Sequence, residues 1–242
     1  MQIIGHRGAR NEAPENTQAG FEYLRQLGLH HVELDIRLSS DDQLVVIHDT
    51  SVNRTCNGRG RVRELTASAM QALDATKPFS QWPQPSGVPL LCDVLEQWPA
   101  LQSIQLEVKT TDLPSLKIIA RKLVTLIEQF NLHDQATITT TDQKLLQLLH
   151  RSEPHIARGL VAERFIRSPI DVCLRHQCTL IAANYHRCSE RFVATAHQAG
   201  LQVSCWTVNS VNVARRLQSI GVDSLITDCP TTLLQQLSGC DV

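Results

Sequence analysis

The chain has 242 residues, enough for one large domain, and a (β/α)₈ barrel typically needs about 250 residues. Its 23 basic residues, Lys and Arg, nearly balance its 24 acidic ones; the formal net charge is −1 and there are no basic tracts, which argues against nucleic acid as a partner. No run approaches the roughly 20 apolar residues of a transmembrane helix, and no basic segment followed by an apolar stretch begins the chain. We therefore expect a cytoplasmic protein with no stable membrane insertion and no removable signal.

The cysteines are even in number but scattered, and none forms a Cys-x-x-Cys pair suited to zinc or redox chemistry. We predict reduced, partly buried thiols in a cytosolic protein. The positions are Cys56, Cys92, Cys173, Cys178, Cys188, Cys205, Cys229 and Cys240.

The first apolar run, Ile3 to Gly8, reads as a buried strand that breaks into a His-Arg pair flanked by glycines. Glycine lets the backbone turn sharply or approach a ligand, so His6 and Arg7 would be presented together at the strand end. An Arg side chain offers a planar fork that suits phosphate oxygens, and His moves protons near neutral pH. The pair suggests phosphate chemistry, although a lone His-Arg-Gly is more often part of a structural loop.

The rest of the chain repeats a strand followed by an amphipathic helix whose apolar residues recur three and four apart. Eight strands alternating with helices indicate a parallel sheet covered by helices, and we predict a (β/α)₈ barrel, with an open doubly wound sheet as the alternative. The predicted strands are Ile3 to Gly8, His31 to Leu38, Ser103 to Lys109, Ala136 to Thr141, Ile156 to Ala162, Thr179 to Tyr185, Gln202 to Val208 and Ser224 to Asp228. The predicted helices are Ala19 to Leu27, with Asn16 or Thr17 as N-cap, Leu116 to Phe130, Asp142 to Arg151, Glu190 to Ala199 and Val211 to Ile220.

Between the second and third predicted strands the alternation is interrupted. This section holds an apolar run from Gln43 to His48, the turn Asn57 to Gly60, a probable helix near Ser68 to Leu73 and the proline-rich Lys77 to Pro89. Connections this long are uncommon unless they are functional or form a subdomain. We predict one domain over 1–242 with a small insertion after strand two, approximately residues 50–95, lying over one end of the barrel.

Charged residues two apart mark two of the predicted strands. Glu33 and Asp35 share one face of their strand, and Glu107 with Lys109 repeats the device on the next barrel strand. On a solvated face such acids are ordinary, but inside a barrel a carboxylate pair is costly without a cation or protons between its members. Ligands that are all oxygen favour Mg²⁺ or Ca²⁺ over zinc. We predict one divalent cation, Mg²⁺ or Ca²⁺, with Lys109 serving a phosphate or the acids.

Two further side chains are candidates for the same site. His48 follows the apolar run Val45 to Ile47; alone it would read as structural, but beside His6 it supplies a second proton-transfer group. Trp206 ends the seventh predicted strand and is either core or pocket wall. We favour the wall, because active sites of barrels gather at the C-terminal ends of their strands.

These motifs, in this order, resemble those of the glycerophosphodiester phosphodiesterase family, and they span nearly the whole chain. They are His-Arg-Gly (Gly5 to Gly8), Pro-Glu-Asn-Thr (Pro14 to Thr17), Glu-x-Asp (Glu33, Asp35), His-Asp (His48, Asp49), Arg-Thr with Asn-Gly (Arg54-Thr55, Asn57-Gly58), Glu-x-Lys (Glu107, Lys109), Trp-Thr-Val-Asn (Trp206 to Asn209) and the Gly-Val-Asp to Thr-Asp-x-Pro ending (Gly221 to Pro230). Strands four to six carry no polar signature as sharp, so family contacts there cannot be placed.

The resemblance implies a barrel with an inserted subdomain that hydrolyses a small glycerophosphodiester to glycerol 3-phosphate and an alcohol. The nucleophile is either water or the glycerol 2-hydroxyl, which would give a cyclic phosphate. By residue-for-residue match, the implied roles are Glu33, Asp35 and Glu107 as ligands of one divalent cation, His6 and His48 as the acid–base pair, and Arg7 and Lys109 as phosphate contacts.

Two alternatives remain. A lysophospholipase D-like phosphodiesterase would want an apolar surface, which Phe79, Trp82 or Trp98 in the inserted section would supply. A catalytically inactive relative would bind phosphodiesters or a partner, but the intact set of histidines, acids and cations argues against it. The preferred alcohol, the choice between Mg²⁺ and Ca²⁺, the role of each histidine and assembly into a homo-oligomer stay open.

Overall fold

Eight parallel strands close into a ring in the computed structural model, which describes residues 1–237. The ring closes because β1 pairs with both β2 and β9, so the predicted (β/α)₈ barrel is confirmed and the open sheet is wrong. The barrel strands are β1 (Gln2–His6), β2 (His31–Leu38), β4 (Ser103–Val108), β5 (Ala136–Thr140), β6 (Arg158–Ala162), β7 (Leu180–Asn184), β8 (Gln202–Trp206) and β9 (Ser224–Thr227), and β3 (Leu44–Val46) is an added antiparallel strand.

The helices alternate with these strands along the chain. They are α1 (Gln18–Gln26), α2 (Ala67–Gln71), α3 (Leu91–Glu96), α4 (Leu113–Gln129), α5 (Gln143–Ser152), α6 (Pro169–Arg175), α7 (Glu190–Gln198), α8 (Val211–Ser219) and α9 (Pro230–Leu237). The predicted helices leave out α6 and α9, which are too short to show several turns of apolar periodicity. No helix within residues 1–237 is long and apolar enough to cross a membrane.

The first strand ends two residues earlier than predicted. Arg7 and Gly8 have φ angles of 53° and 91°, which turn the chain out of the sheet after His6. Of the two candidate caps, Thr17 is correct, because its hydroxyl accepts a hydrogen bond from the Gly20 N–H at 3.0 Å. Asn16 is not the cap; its side-chain amide is used elsewhere in the structure.

Alternation along the strands separates the core from the barrel interior. Val32, Leu34 and Ile36 of β2 pack in the large apolar cluster between sheet and helices, whereas the intervening Glu33 and Asp35 face the barrel interior. The same period of two holds on β4, and there the side-chain amide of its inward residue Gln105 donates to the Ser204 hydroxyl across the barrel at 3.2 Å. The residues that carry charge are thus delivered inward by ordinary strand geometry.

The section after β2 forms a small layer at the carboxyl end of that strand. β3 runs antiparallel to β2, with Val46 opposite Ile36, and the chain continues through a 3₁₀ turn (Val62–Glu64) and α2. We still propose an inserted subdomain over approximately residues 50–95, because the section has an apolar cluster of its own. That cluster contains Val45, Ile47, Val52, Cys56, Val62, Ala67, Met70, Ala75 and Val88.

The cysteines of the described residues are all free thiols, and Cys92 and Cys229 are the two that are not buried. Cys240 lies outside the described residues.

Candidate active site

A pocket of about 280 Å³ opens at the carboxyl ends of the barrel strands. Its lining draws on the loops after β1 and β3 and on the inward faces of the other strands. The lining residues are His6, Arg7, Arg10, Glu33, His48, Gln105, Glu107, Lys109, Thr139, Val161, Glu163, Ala182, Trp206, Thr207 and Ile226.

Three carboxylates converge at the base of this pocket. Glu33, Asp35 and Glu107 each offer an oxygen within 4.8 Å of the others. Asp35, fully buried, lies 2.7 Å from the Lys109 ammonium and 3.0 Å from Nε of Arg7. Asp35 is therefore the well-neutralised member of the three.

The charges of the three acids are balanced unequally. Burial works to raise the pKa of Asp35, but the charges of Lys109 and Arg7 outweigh burial and hold that pKa below its ordinary value. Burial, together with the charge of Asp35, instead raises the pKa of Glu33 well above its usual range. Burial also raises the pKa of Glu107, although Lys109 opposes this. Because Lys109 also pairs with Glu107, the cluster is most short of positive charge at Glu33.

The donor set fits a hard divalent cation. Glu33 Oε1 is buried and has no hydrogen-bond partner among residues 1–237, which is a costly state for a carboxylate oxygen unless a cation or a proton meets it. The other ligand atoms in reach are carboxylate oxygens of Asp35 and Glu107, the type that Mg²⁺ and Ca²⁺ prefer. The residues present therefore match a single oxygen-ligated metal ion.

The loop after β1 holds Arg7 in place. A Cβ atom on Gly5 would lie 2.3 Å from the Gly8 carbonyl oxygen, so the loop closes only with glycine there. The Arg7 N–H donates to the Glu33 carbonyl at 2.8 Å, and its guanidinium donates to Glu15 at 3.0 Å. Asn16, the rejected cap, donates from its amide to Asp35 at 2.8 Å. This short segment supports both the phosphate candidate and the acidic cluster.

His6 is oriented by a carboxylate from the far end of the chain. Its Nδ1 lies 2.5 Å from Asp228 Oδ1, while the other Asp228 oxygen accepts from the Asn209 amide at 2.9 Å. Burial works to raise the pKa of Asp228, but the hydrogen bond with His6 outweighs it and keeps that pKa low. An ionised Asp228 only accepts, so Nδ1 carries the proton and Nε2, 3.8 Å from Glu33, faces the pocket.

His48 reaches the pocket by a different route. It follows β3, which returns antiparallel along the end of β2, and its carbonyl accepts from Nε of Arg37 at 2.7 Å. Its Nδ1 lies 2.7 Å from Asp49, as His6 lies beside Asp228. Burial lowers the pKa of His48, so its neutral form dominates near neutral pH. Both imidazoles thus line one pocket with Nδ1 engaged by a carboxylate.

An ion-pair chain ties the inserted section to the loop after β1. Arg54 lies 2.7 Å from Asp49 and 2.7 Å from Glu15, and Glu15 in turn binds Arg7. The hydrogen bond from Arg54 lowers the pKa of Asp49 to about 2. His48 and Arg7 are therefore positioned by one connected set of side chains.

The aromatic residues divide between pocket and core. Trp206 lines the pocket beside Val161 and Ala182, an apolar wall opposite the acids. Trp98 is 2 % exposed, packs on Phe21 and is far from this lining.

The suggested apolar surface for a lysophospholipid is not at the pocket. Trp98 donates from its indole N–H to His30 Nδ1 at 3.1 Å, next to the start of β4. Trp82 lines a separate groove against α1, and Phe79 packs edge-on against it. These three residues do not line the pocket, because Trp98 packs in the core and Trp82, with Phe79 against it, lies beside α1.

The sequence analysis assigns several supporting residues no role in the active site. Four of them lie within the motifs quoted above, but the motifs alone do not show which side chain each residue contacts. They are Asp228, Asn209, Glu15 and Asn16. Arg37 was not singled out, although it continues the inward-facing series of Glu33 and Asp35 on β2. The middle strands contribute Thr139, Val161 and Ala182 to the pocket lining. Small or apolar side chains such as these carry no chemical feature that would mark them as site residues in the sequence.

A (β/α)₈ barrel with acids, histidines and cations gathered at the carboxyl ends of its strands has the architecture of a barrel enzyme. Residues 6–232 match the model of the glycerophosphoryl diester phosphodiesterase family. The chain belongs to this family of phosphodiesterases, which confirms the resemblance.

The chain is similar over nearly its whole length to relatives named as glycerophosphodiester phosphodiesterases. It is 30% identical over 235 residues to a glycerophosphodiester phosphodiesterase of Caldanaerobacter subterraneus subsp. tengcongensis, covering 96% of each chain. It is 31% identical over 237 residues to a glycerophosphodiester phosphodiesterase of Bacillus altitudinis, covering 95% of each chain.

Solved structures share the fold. A glycerophosphodiester phosphodiesterase from Agrobacterium tumefaciens superposes with a TM-score of 0.84 at 27% identity, covering 97% of this chain and 99% of that one. An Oleispira antarctica phosphodiesterase in complex with the product sn-glycerol-3-phosphate superposes with a TM-score of 0.88 at 23% identity, covering 99% and 97%.

Proposed function

We propose that the protein hydrolyses glycerophosphodiesters to glycerol 3-phosphate and an alcohol, with one divalent cation and a histidine acid–base pair. The observation that carries the proposal is the meeting of two carboxylate-bound imidazoles, His6 and His48, with three acids in one pocket. Family membership and the glycerol-3-phosphate complex of the Oleispira antarctica relative support the substrate class.

Glu33, Asp35 and Glu107 are the proposed metal ligands. A bound Mg²⁺ or Ca²⁺ would polarise the phosphoryl oxygens and offset the developing charge. Arg7 and Lys109 reach the same region from the other side, and both keep raised pKa values because nearby acids outweigh their burial. These two cations are proposed to hold the phosphate and to stabilise charge in the transition state.

The two histidines would divide the proton transfers. One Nε2 atom takes a proton from the nucleophile, and the other gives a proton to the departing alkoxide, so charge does not accumulate on either oxygen. Asp228 and Asp49 hold the imidazoles with Nδ1 turned away from the phosphate. Which histidine is the acid, and whether water or the glycerol 2-hydroxyl attacks, stay open.

The apolar wall gives the organic part of the substrate a place to lie. Trp206, with Val161 and Ala182, forms a surface against which the carbon chain of a glycerol group can pack. We propose that Trp206 contacts substrate there.

The remaining expectations are proposals as well. We propose a small-molecule substrate, no nucleic-acid partner and a cytoplasmic location; homo-oligomer formation stays open. Of the alternatives, the lysophospholipase D-like activity loses its expected apolar surface. The inactive relative is disfavoured by the complete set of site residues.

Product analysis tests this proposal. Glycerophosphocholine incubated with the purified protein and either Mg²⁺ or Ca²⁺ is expected to give glycerol 3-phosphate and choline. The conversion of the diester to glycerol 3-phosphate is monitored by ³¹P NMR. The matched control is the double variant His6→Ala with His48→Ala, which should give neither product. Release of phosphocholine and glycerol, or no turnover with any glycerophosphodiester, contradicts the proposal.

A further inference from the structure

A second cavity, of about 300 Å³, adjoins the catalytic pocket between β2, the inserted section and the loop after β4. Lys109 lines both cavities, so its side chain forms the boundary between them. The cavity is lined by Arg37, Leu38, Thr50, Arg61, Val62, Arg63, Lys109, Thr110, Thr111 and Ile119.

The lining of this cavity is cationic. Four of its residues are Arg or Lys, and no carboxylate is among the described residues that line it. Arg63 is paired with Asp42 at 2.8 Å, and Lys109 is paired with Asp35 at 2.7 Å. These two charges are therefore already balanced by acids outside the lining.

The guanidinium groups of the other two residues, Arg37 and Arg61, have no ion-pair partner among residues 1–237. The Arg61 side chain makes no hydrogen bond or ion pair within residues 1–237 and is exposed, although its backbone carbonyl accepts from the Glu64 N–H. Arg37 donates its Nε to the His48 carbonyl, and within the same residues its two terminal nitrogens have no hydrogen-bond partner. Arg37 is also half-buried; the charges of Asp35, Asp49 and Glu107 act on it from a distance, but among residues 1–237 none of them forms an ion pair with it.

The cavity is placed to meet the part of a substrate that extends past Lys109. On the far side of the catalytic pocket lies the apolar wall of Trp206, and on this side lies the backbone of His48, held by Arg37. A diester spanning the pocket with its glycerol on the wall would project its alcohol toward the cationic cavity. Arginine forks and threonine hydroxyls are a donor set that suits phosphate oxygens.

We propose that this cavity binds a phosphate group, carried on the alcohol of the diester or arriving as free inorganic phosphate. The substrate-borne form rests on the proposed function and makes Arg37 and Arg61 specificity residues for phosphorylated alcohols. The free form makes the same cavity an effector site.

A matched pair of diesters tests the substrate-borne form. Glycerophosphoinositol and glycerophosphoinositol 4-phosphate differ by one phosphate monoester, and kcat/KM is expected to be higher for the second. Arg61→Gln should lower kcat/KM for the phosphorylated diester about tenfold, the effect of losing one hydrogen bond between charged groups, and should leave the other diester unchanged.

Arg59→Gln is the control variant. Arg59 is exposed, lies two residues from Arg61 and does not line the cavity. Its substitution by Gln removes the same positive charge as Arg61→Gln. Equal kcat/KM values of Arg61→Gln and Arg59→Gln on both diesters overturn the substrate-borne form. If inorganic phosphate changes turnover of glycerophosphoinositol in the wild type and Arg59→Gln but not in Arg61→Gln, the occupant is free phosphate.

A binding measurement separates the site from the activity. Calorimetric titration with inositol 4-phosphate and with inorganic phosphate needs no turnover, so it decides the site even if no diester is hydrolysed. We expect binding of at least one of these ligands to the wild type and to Arg59→Gln, weakened about tenfold in Arg61→Gln. No binding of either, or binding equal in all three proteins, refutes the phosphate site.

Discussion

Asp228 Oδ1 lies 2.5 Å from Nδ1 of His6, so the last barrel strand orients a side chain delivered by the first. These residues are 222 positions apart, and they meet because β1 and β9 are neighbours in the closed ring. Barrel closure therefore assembles the histidine and its carboxylate. An open sheet would have left them at opposite edges.

The first prediction concerns this pair. Asp228→Asn should lower kcat by about 10- to 100-fold with KM little changed, because the imidazole loses the carboxylate that fixes its tautomer. The pH profile of kcat should also move, which a purely structural role would not produce. Asp223→Asn is the matched control, since Asp223 holds His197 at 2.9 Å outside the pocket, and it should keep wild-type kcat. Equal loss in both variants contradicts the orienting role.

The second prediction treats His6 and His48 as one acid–base unit. His6→Ala and His48→Ala should each lower kcat by about 10²–10⁴-fold on the natural diester. The double variant should lose less than the product of the two, since residues that act as a unit are non-additive.

A p-nitrophenyl ester separates the two roles. Its phenolate hardly needs protonation, so the variant lacking the general acid should recover much of its rate and the variant lacking the base should not. Equal recovery of both, or a near wild-type rate for either on the natural diester, returns that histidine to a structural role.

The third prediction compares two tryptophans. Trp206→Ala should raise KM for glycerophosphodiesters, because the apolar wall loses its largest side chain. Trp98→Ala should lower the free energy of unfolding by about 3–5 kcal/mol and leave KM unchanged, since Trp98 packs in the core on Phe21. Steady-state kinetics and urea unfolding of both variants check this, and equal changes in KM mean that the pocket wall is wrongly assigned.

The fourth prediction follows from the pKa of Asp49, which the hydrogen bond from Arg54 lowers to about 2. A lowered folded-state pKa adds stability above the ordinary value of about 3.9, and this contribution disappears as pH falls toward the folded value. The difference in unfolding free energy between wild type and Asp49→Asn should therefore be largest above about pH 4 and shrink below it. Urea unfolding from pH 3 to 6 measures it; a difference independent of pH excludes the ion pair as its source.

Much of the fold could be read from the sequence because local rules specify it. The strand His31–Leu38 has the predicted bounds, because the sequence alternates apolar and acidic residues there, from Val32 to Asp35. The predicted first strand is two residues too long at its C-terminal end. The positive φ of Arg7, which ends the strand, depends on its contact with Glu33 and on the loop that follows, not on residue type.

The sequence predicts the chemical groups of the candidate site but not the residues that support them, for a related reason. His6 ends its strand, Glu107 lies next to the end of its strand, and Glu33 alternates with apolar residues along β2, so position and chemistry coincide. The partners Asp228 and Glu15 lie within quoted motifs, but the motifs do not reveal which side chain each one contacts, because those contacts form only in the folded structure. The phosphate-binding cavity depends on Arg37 and Arg61, which the sequence separates by an antiparallel strand and a turn.

The fifth prediction concerns the acidic cluster. Glu107→Gln and Glu33→Gln should each abolish turnover, because each removes a proposed metal ligand. Without metal the folded state of both should be as stable as the wild type or more so, since burial already raises the pKa of both carboxyls and glutamine resembles the protonated acid. Glu163→Gln, at the same pocket but outside the three acids, should keep chelator-sensitive activity.

The most direct measurement is the release of glycerol 3-phosphate from glycerophosphocholine before and after chelation of divalent cations by EDTA. The proposed metal site predicts that EDTA abolishes the release and that an excess of Mg²⁺ or Ca²⁺ restores it. Full activity in excess chelator, after dialysis to remove bound metal, would contradict the metal-dependent account.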